Sequence, residues 1–245
     1  MNSGHVLPWS GEIFFAPKRQ YDTAIILVHN YGTSKKTFKY HIPFFHQLGF
    51  DTIVFNLDTP ADRRRIFFPV CKTGWGLRSI YTQRITDILR MVNRPKIIMS
   101  LSMPASCALS AAVTCGFSGI RAMVCECGPS AQLFSCASLL LRHYFNIRRA
   151  VIRIPFAALL QIFWHPFHNV LTRKDTAAIP ENFPVLSVRS GLDKIIPEKF
   201  IAELFQNTKA KVTVLRLPSS GHLDGFHFAS ELYRPVLTEF LIQHA

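Results

Sequence analysis

The sequence predicts an α/β fold, a mostly parallel, doubly wound sheet with helices on both faces. Short apolar runs rich in β-branched residues recur along the chain, each ending in a polar turn: "TAIILVHNYG" (23–32), "FDTIVFNLD" (50–58), "PKIIMSLS" (95–102), "GIRAMVCECG" (119–128), "FPVLSVRSG" (183–191) and "AKVTVLRLPSSG" (210–221). Near-continuous apolar strands imply burial on both faces, the habit of parallel sheets. Between them lie segments with helical character: "KKTFKYHIPFFHQLG" closing on Gly49, "LRSIYTQRITDILRMV" with apolar residues at helical spacing, and "EKFIAELFQNT" after Pro197. Alternating strand and helix place active groups at the carboxyl ends of the strands.

One segment departs from this alternation. From about residue 129 to 180 there is no good strand, but there are amphipathic stretches within "LFSCASLLLRHYFNIRRAVIRIPFAALLQIFWHPFHNV". An insertion of this length after a strand predicts a helical lid. The 245 residues fit one domain, with a core of about 1–128 and 181–245 and the lid between. Half of the residues are hydrophobic (49%), which excludes a disordered or coiled-coil chain.

Cationic residues outnumber anionic ones, 28 to 15, for a net charge of +13. The positives are dispersed over Lys35, Lys36 and Lys39, Arg63 to Arg65, Arg142 to Arg153, and Lys209 and Lys211. Such an excess favours weak attraction to an anionic membrane and says little about fold. No zinc-finger spacing or RNA-binding motif accompanies it, so nucleic acid is not expected as a partner. The N-terminus "MNSGHVLPWSGEIFF" lacks a basic region followed by an apolar run, which predicts a cytoplasmic chain, with peripheral contact to a membrane as an extension. "VIRIPFAALLQIFW", broken by Arg153 and Pro155, is too short for a membrane span. The six cysteines are then expected to be reduced, and Cys125-Glu126-Cys127 reads as strand-end packing rather than a redox or zinc motif.

At the junction of "PKIIMSLS" with the small-residue helix "ASCALSAA" stands Ser102, in Ser100-Leu101-Ser102-Met103-Pro104. A nucleophile elbow needs small residues two before and two after the serine. Ser100 meets that demand. Pro104 falls in the first helical turn, where its missing N–H has no partner to lose. The Met103 N–H, which would face a developing oxyanion, is intact. Further along, "SVRSGLDKIIP" puts Asp193 in a turn after a strand, and "RLPSSGHLDGF" puts His222 after the next. An activated serine needs a base to take its proton and a carboxylate to orient the base. The chain order Ser–Asp–His at successive strand ends meets both needs.

With these motifs the chain resembles the α/β-hydrolase superfamily, the serine esterases, lipases and thioesterases, over most of its length. "HNYGTS" (29–34) is similar to the family's H-G-x-G segment, with Asn30 in place of glycine. The S-x-S-x-P elbow is a second departure, since the family's serine is flanked by glycines. The resemblance implies an α/β-hydrolase fold with Ser102 as nucleophile, Asp193 as orienting acid and His222 as base. It implies the backbone N–H groups of Tyr31 and Met103 as the oxyanion hole, and neither metal nor organic cofactor. The implied reaction is hydrolysis of a small-molecule carboxylic ester or thioester.

Other candidates are weaker. Asp58 precedes the elbow and reads as a loop support. His165 and His168 lack a third metal ligand and read as packing at the lid surface. Asp224 is too near His222 in sequence to replace Asp193, and Gly74-Trp75-Gly76 reads as a turn. The lid's Phe134, Leu139 to Leu141, Phe145, Phe156, Leu159, Leu160, Phe163 and Trp164 would line an acyl cleft, and its five arginines from Arg142 to Arg173 would suit an anionic head group; the same residues read equally as an ordinary amphipathic lid packed on the sheet. Two alternative functions stand beside hydrolysis: a non-catalytic hydrolase-fold binding protein, and a basic peripheral membrane protein whose lid docks on anionic lipid.

Overall fold

A computed structural model describes residues 7–58, 70–71 and 74–245, so the basic run Arg63 to Arg65 lies outside the described residues. In chain order the elements are β1 (Glu12–Phe14), β2 (Ala24–Val28), a 3₁₀ turn (Lys35–Lys39), α1 (His41–Gln47), β3 (Asp51–Val54), the small hairpin β4 (Val70–Cys71) and β5 (Gly74–Trp75), α2 (Gly76–Met91), β6 (Lys96–Leu101), α3 (Ala105–Thr114) and β7 (Ile120–Glu126). Three helices follow, α4 (Leu133–His143), α5 (Ala150–Trp164) and α6 (His168–Ala177). The chain then returns through β8 (Pro184–Ser190), α7 (Glu198–Phe205), β9 (Lys211–Leu217), α8 (Gly225–Phe228) and α9 (Ser230–Gln243).

Seven strands form one sheet in the order β1-β3-β2-β6-β7-β8-β9. Only β1 runs antiparallel; the other pairs are parallel. Alternate strand residues feed two separate apolar layers, as the two-residue period of a strand requires. Ala24, Ile26, Val28, Ile98, Met123 and Cys125 pack on one face with α2, α3 and α7. Ile25, Leu27, Ile97, Met99, Ala122 and Val124 pack on the other with α1 and α9.

Two elements depart from the sequence expectation. The segment 35–49 is not one helix but a 3₁₀ turn followed by α1. Pro43 has no N–H to give the carbonyl of Lys39, so a continuous helix cannot pass through both. The last strand, β9, is largely exposed, because it closes the sheet as an edge and has a neighbour on one side only.

The helices between β7 and β8 are fastened to the core by buried polar contacts. Arg78 of α2 donates to Ser110 Oγ of α3 at 2.7 Å and to Asp175 Oδ2 of α6 at 2.8 Å, and the Ser110 hydroxyl also donates to Asp175. Asn169 Oδ1 accepts the Leu133 N–H at 3.0 Å and so caps α4. Trp164 Nε1 donates to His168 Nδ1 at 3.0 Å, which leaves the other ring nitrogen to donate to the Ser130 carbonyl at 2.9 Å. Burial drives the His168 pKa down to about 3, so the ring is a neutral, fixed tautomer. His168 is therefore a buried bracket rather than a surface residue.

Removing one partner of a buried ion pair strands the other charge, a loss of about 3–5 kcal/mol. Asp175→Ala is expected to lower the unfolding free energy by roughly that amount, because Arg78 is almost fully enclosed. Urea titration against the parent protein measures it.

Candidate active site

The site begins at the carboxyl end of β6. Ser102 adopts φ +59°, a left-handed conformation that costs a non-glycine residue about 1–2 kcal/mol. The turn is held from both sides: the Ser102 N–H donates to the Glu126 carbonyl at 2.8 Å, and its own carbonyl accepts from Ala105 at 3.1 Å. Pro104 has φ −58° and ψ −14°, and its carbonyl receives Cys107 and Ala108 to open α3. The proline thus occupies a position where only its acceptor is needed. Ser100 is fully buried, as a small residue beneath the turn must be.

A second demand for smallness falls on Gly128, just past β7. A Cβ there would lie inside contact distance of the Ser102 carbonyl oxygen and carbon. Sequence reading looked for glycine at the elbow itself, yet the close approach is met by a glycine from the neighbouring strand. Its signal was the lone glycine ending "VCECG".

The acid and base come from the turns after β8 and β9. Those strands are paired along their length, with Ser190 beside Leu217. Beyond the last pair the two turns stay joined, through Gly191 N–H to the Leu217 carbonyl and Leu192 N–H to the Ser220 carbonyl, both 2.9 Å. Asp193 is buried, and its Oδ1 accepts the N–H groups of Ile195 at 2.8 Å and Ile196 at 2.9 Å. Its Oδ2 lies 2.7 Å from His222 Nδ1. A carboxylate oxygen only accepts, so Nδ1 carries the proton and Nε2 is left as an acceptor. His222 Nε2 is 3.0 Å from Ser102 Oγ. The three residues that sequence order singled out are brought into one hydrogen-bonded line.

Sheet register also brings Tyr31 and Met103 to one edge. β2 and β6 are parallel neighbours with Val28 opposite Ser100, and the two residues stand equally far beyond that pair. Met103 lies between β6 and α3, and no backbone carbonyl among the described residues takes its N–H. The loop before Tyr31 is locked by His29. Its Nε2 accepts the Leu57 N–H at 2.9 Å, so its Nδ1 carries the proton and donates to the Asn30 carbonyl at 2.9 Å. Thr33 Oγ1 donates to the same carbonyl and lies 2.8 Å from Asn30 Oδ1. The positive φ in this loop falls at Gly32 (+78°), not at Asn30, so the substituted glycine position asks for no left-handed backbone. Tyr31 sets its ring edge-on to Trp164 of α5, centroids 5.9 Å apart.

A buried carboxyl that sequence reading passed over stands beneath this line. Glu126, the last residue of β7, is enclosed and accepts the Tyr233 hydroxyl of α9 on Oε2 at 2.7 Å. Burial pushes its pKa up to about 7, against the opposing pulls of the Tyr233 hydrogen bond and of His222. Beside it, Cys127 keeps its sulfur 3.3 Å from Ser190 Oγ, and burial, with Glu126 and Asp193 nearby, raises its thiol pKa well above normal. One Cys, one Asp and one His thus offer ligand atoms within 4.8 Å of one another, through Cys127, Asp193 and His222. A metal would have to break the Asp193–His222 hydrogen bond and deprotonate a thiol that its surroundings keep protonated. Asp224 follows His222 as the residue before α8 and leaves the His222 ring to Asp193. Asp58 is buried at the end of the segment after β3 and is not part of the line.

The residues expected to line an acyl cleft divide. Trp164 and Leu141 are buried, whereas Phe145, Phe156 and Leu159 face outward rather than into a cleft. Phe156 and Leu159 lie on the side of α5 turned away from the core, and Phe145 lies in the loop before it.

No protein-family model matches the sequence, and no curated protein sequence matches it. Solved structures do. An esterase from Pyrococcus furiosus superposes with a TM-score of 0.64 at 15% identity, over 96% of this chain and 85% of that one. A monoacylglycerol lipase from Paleococcus ferrophilus gives 0.66 at 15%, over 96% and 98%. A bromoperoxidase from Bacillus anthracis gives 0.60 at 15%, over 95% and 96%. The chain has the α/β-hydrolase fold.

Glu126 gives the site a pH signature. Its folded pKa lies above that of an unfolded glutamate, so between about pH 4.5 and 7 the native state binds more protons, and stability falls as pH rises. The difference amounts to about 3 kcal/mol between pH 4 and pH 8. Glu126→Gln is expected to flatten that part of the stability–pH curve, as measured by denaturant unfolding at fixed pH steps.

Proposed function

We propose that this chain is a serine hydrolase cleaving a carboxylic ester or thioester through an acyl-enzyme. The observation that carries the reading is the unbroken line from Ser102 Oγ through His222 to Asp193, with the serine on a left-handed strand-to-helix turn. His222 Nε2 takes the hydroxyl proton as Oγ attacks the substrate carbonyl. Asp193 holds the ring by its Nδ1–H and offsets the positive charge that forms. The Met103 and Tyr31 N–H groups receive the oxyanion, each worth about 2.7–4 kcal/mol in such sites. The proton on Nε2 then passes to the leaving oxygen or sulfur. Water, deprotonated by the same nitrogen, releases the acid and restores the serine.

On the acyl side, the Tyr31–Trp164 pair offers an apolar wall next to the oxyanion loop. That wall suits an acyl chain, in keeping with the esterase and lipase among the similar structures. Ser102 retains only 7% of its surface, so substrate entry requires a local opening above the serine.

Hydrolysis of p-nitrophenyl esters of increasing chain length tests this reading. Ser102→Ala and His222→Ala are each expected to lower kcat by about 10⁴-fold or more, and Asp193→Asn by about 10⁴-fold. Gly128→Ala, which crowds the Ser102 carbonyl, is expected to lower kcat by about 10²-fold through misplacement of the nucleophile. A parent protein no faster than Ser102→Ala on every ester would refute hydrolysis.

A further inference from the structure

We propose that the outer face of α5, with the arginines at its amino end, docks on an anionic lipid bilayer. The inference stands apart from the acyl-transfer chemistry.

Surface helices bury an apolar stripe and expose polar residues, as α7 does by burying Ile201, Leu204 and Phe205. α5 is apolar on nearly every side and leaves most of that surface in solvent. Only Ala157 and Trp164 of its residues are buried. At about 100° per residue, Val151, Ile152, Pro155, Phe156, Leu159 and Ile162 fall within one arc of about 140°, and all face solvent. Val151 is 79% exposed and Phe156 51%. Tyr144 and Phe145, in the loop before α5, extend the apolar surface. Contiguous exposed apolar surface of this kind marks an interaction site.

Charge selects the partner. Arg142, Arg148 and Arg153, with His143 and Asn146, line a hollow of about 440 Å³ at the amino end of α5. Their hydrogen bonds go to neutral acceptors: Arg148 Nε to Asn146 Oδ1 at 3.0 Å, Arg153 Nε to Ser138 Oγ at 3.0 Å, and Arg153 Nη1 to the Arg148 carbonyl at 2.7 Å. No acidic residue stands between Glu126 and Asp175, and among the described residues no ion pair includes Arg142, Arg148, Arg149 or Arg153. A neutral apolar partner would leave these cations idle, a nucleic acid would leave the apolar arc in water, and a second copy would set arginine against arginine. An anionic bilayer meets both features at once, with phosphates at the guanidinium groups and acyl chains at the arc.

The helix lies in the interface rather than crossing it. Its 15 residues span about 22 Å, short of the ~30 Å hydrocarbon core. No single helix among the described residues is long and apolar enough to cross a membrane, and α5 meets α6 at a 51° bend.

Co-sedimentation with sucrose-loaded vesicles tests the proposal, using phosphatidylcholine alone and a 7:3 mixture with phosphatidylglycerol. The full chain is expected to partition at least tenfold more strongly to the mixed vesicles, and to lose most of that advantage in 0.5 M salt. Arg148→Gln with Arg149→Gln is expected to weaken binding about 25-fold, near fivefold per charge. Val151→Gln with Ile152→Gln should weaken it at least tenfold, with the thermal midpoint of both doubles unchanged as the check on folding. Equal partition to the two vesicle types, no partition at all, or binding indifferent to both doubles would overturn the proposal. So would a dimer in sedimentation velocity that Val151→Gln with Ile152→Gln dissolves.

Discussion

At Ser102 the chain enters a left-handed turn against the backbone of Gly128, and the rest of the site is arranged around that contact. The turn lifts the hydroxyl off the sheet toward His222 and leaves the next N–H, that of Met103, outside the strand and helix ladders. An L-residue holds this conformation only where its surroundings fix it. Here the fixing groups are the Glu126 carbonyl on one side, the first turn of α3 on the other, and a neighbour without a side chain. Ser100 and Pro104 are compatible with this geometry because smallness and a missing N–H are all that their positions require.

Parallel pairing does the remaining work of assembly. Ser102, Asp193 and His222 each sit a few residues beyond the end of a different strand, so register converts distant sequence positions into one cluster. The backbone bonds between the turns after β8 and β9 extend that register past the sheet and set the distance from Asp193 to His222. The helices between β7 and β8 are tied down by Arg78–Asp175 and by Trp164–His168–Ser130, while the outer side of α5 is left apolar.

Six of the seven strands of the main sheet, their parallel direction and the order Ser102, Asp193, His222 at strand ends were legible in the sequence, because burial on two faces and strand-end turns leave local patterns; the three-residue β1 and the small β4–β5 hairpin leave none. The Pro43 break was equally local but was read over, since the helical spacing around it is good. What was not legible depends on contacts between strands. Gly128 lies against a serine from the adjacent strand, and the left-handed residue of the loop after β2 is Gly32 rather than Asn30. Glu126 shared a strand end with two cysteines and looked like packing, and only the fold reveals Tyr233 above it. The exposure of Phe156 and Leu159 likewise depends on which side of α5 meets the core, and periodicity alone does not orient a helix that is apolar all round.

The most direct measurement is reaction of the intact protein with a fluorophosphonate, followed by peptide mapping of the modified residue. An activated serine places the phosphonyl group on Ser102 alone and requires His222 for the reaction. Modification of another residue, or of Ser102 at the same rate in His222→Ala, would contradict the assembled site.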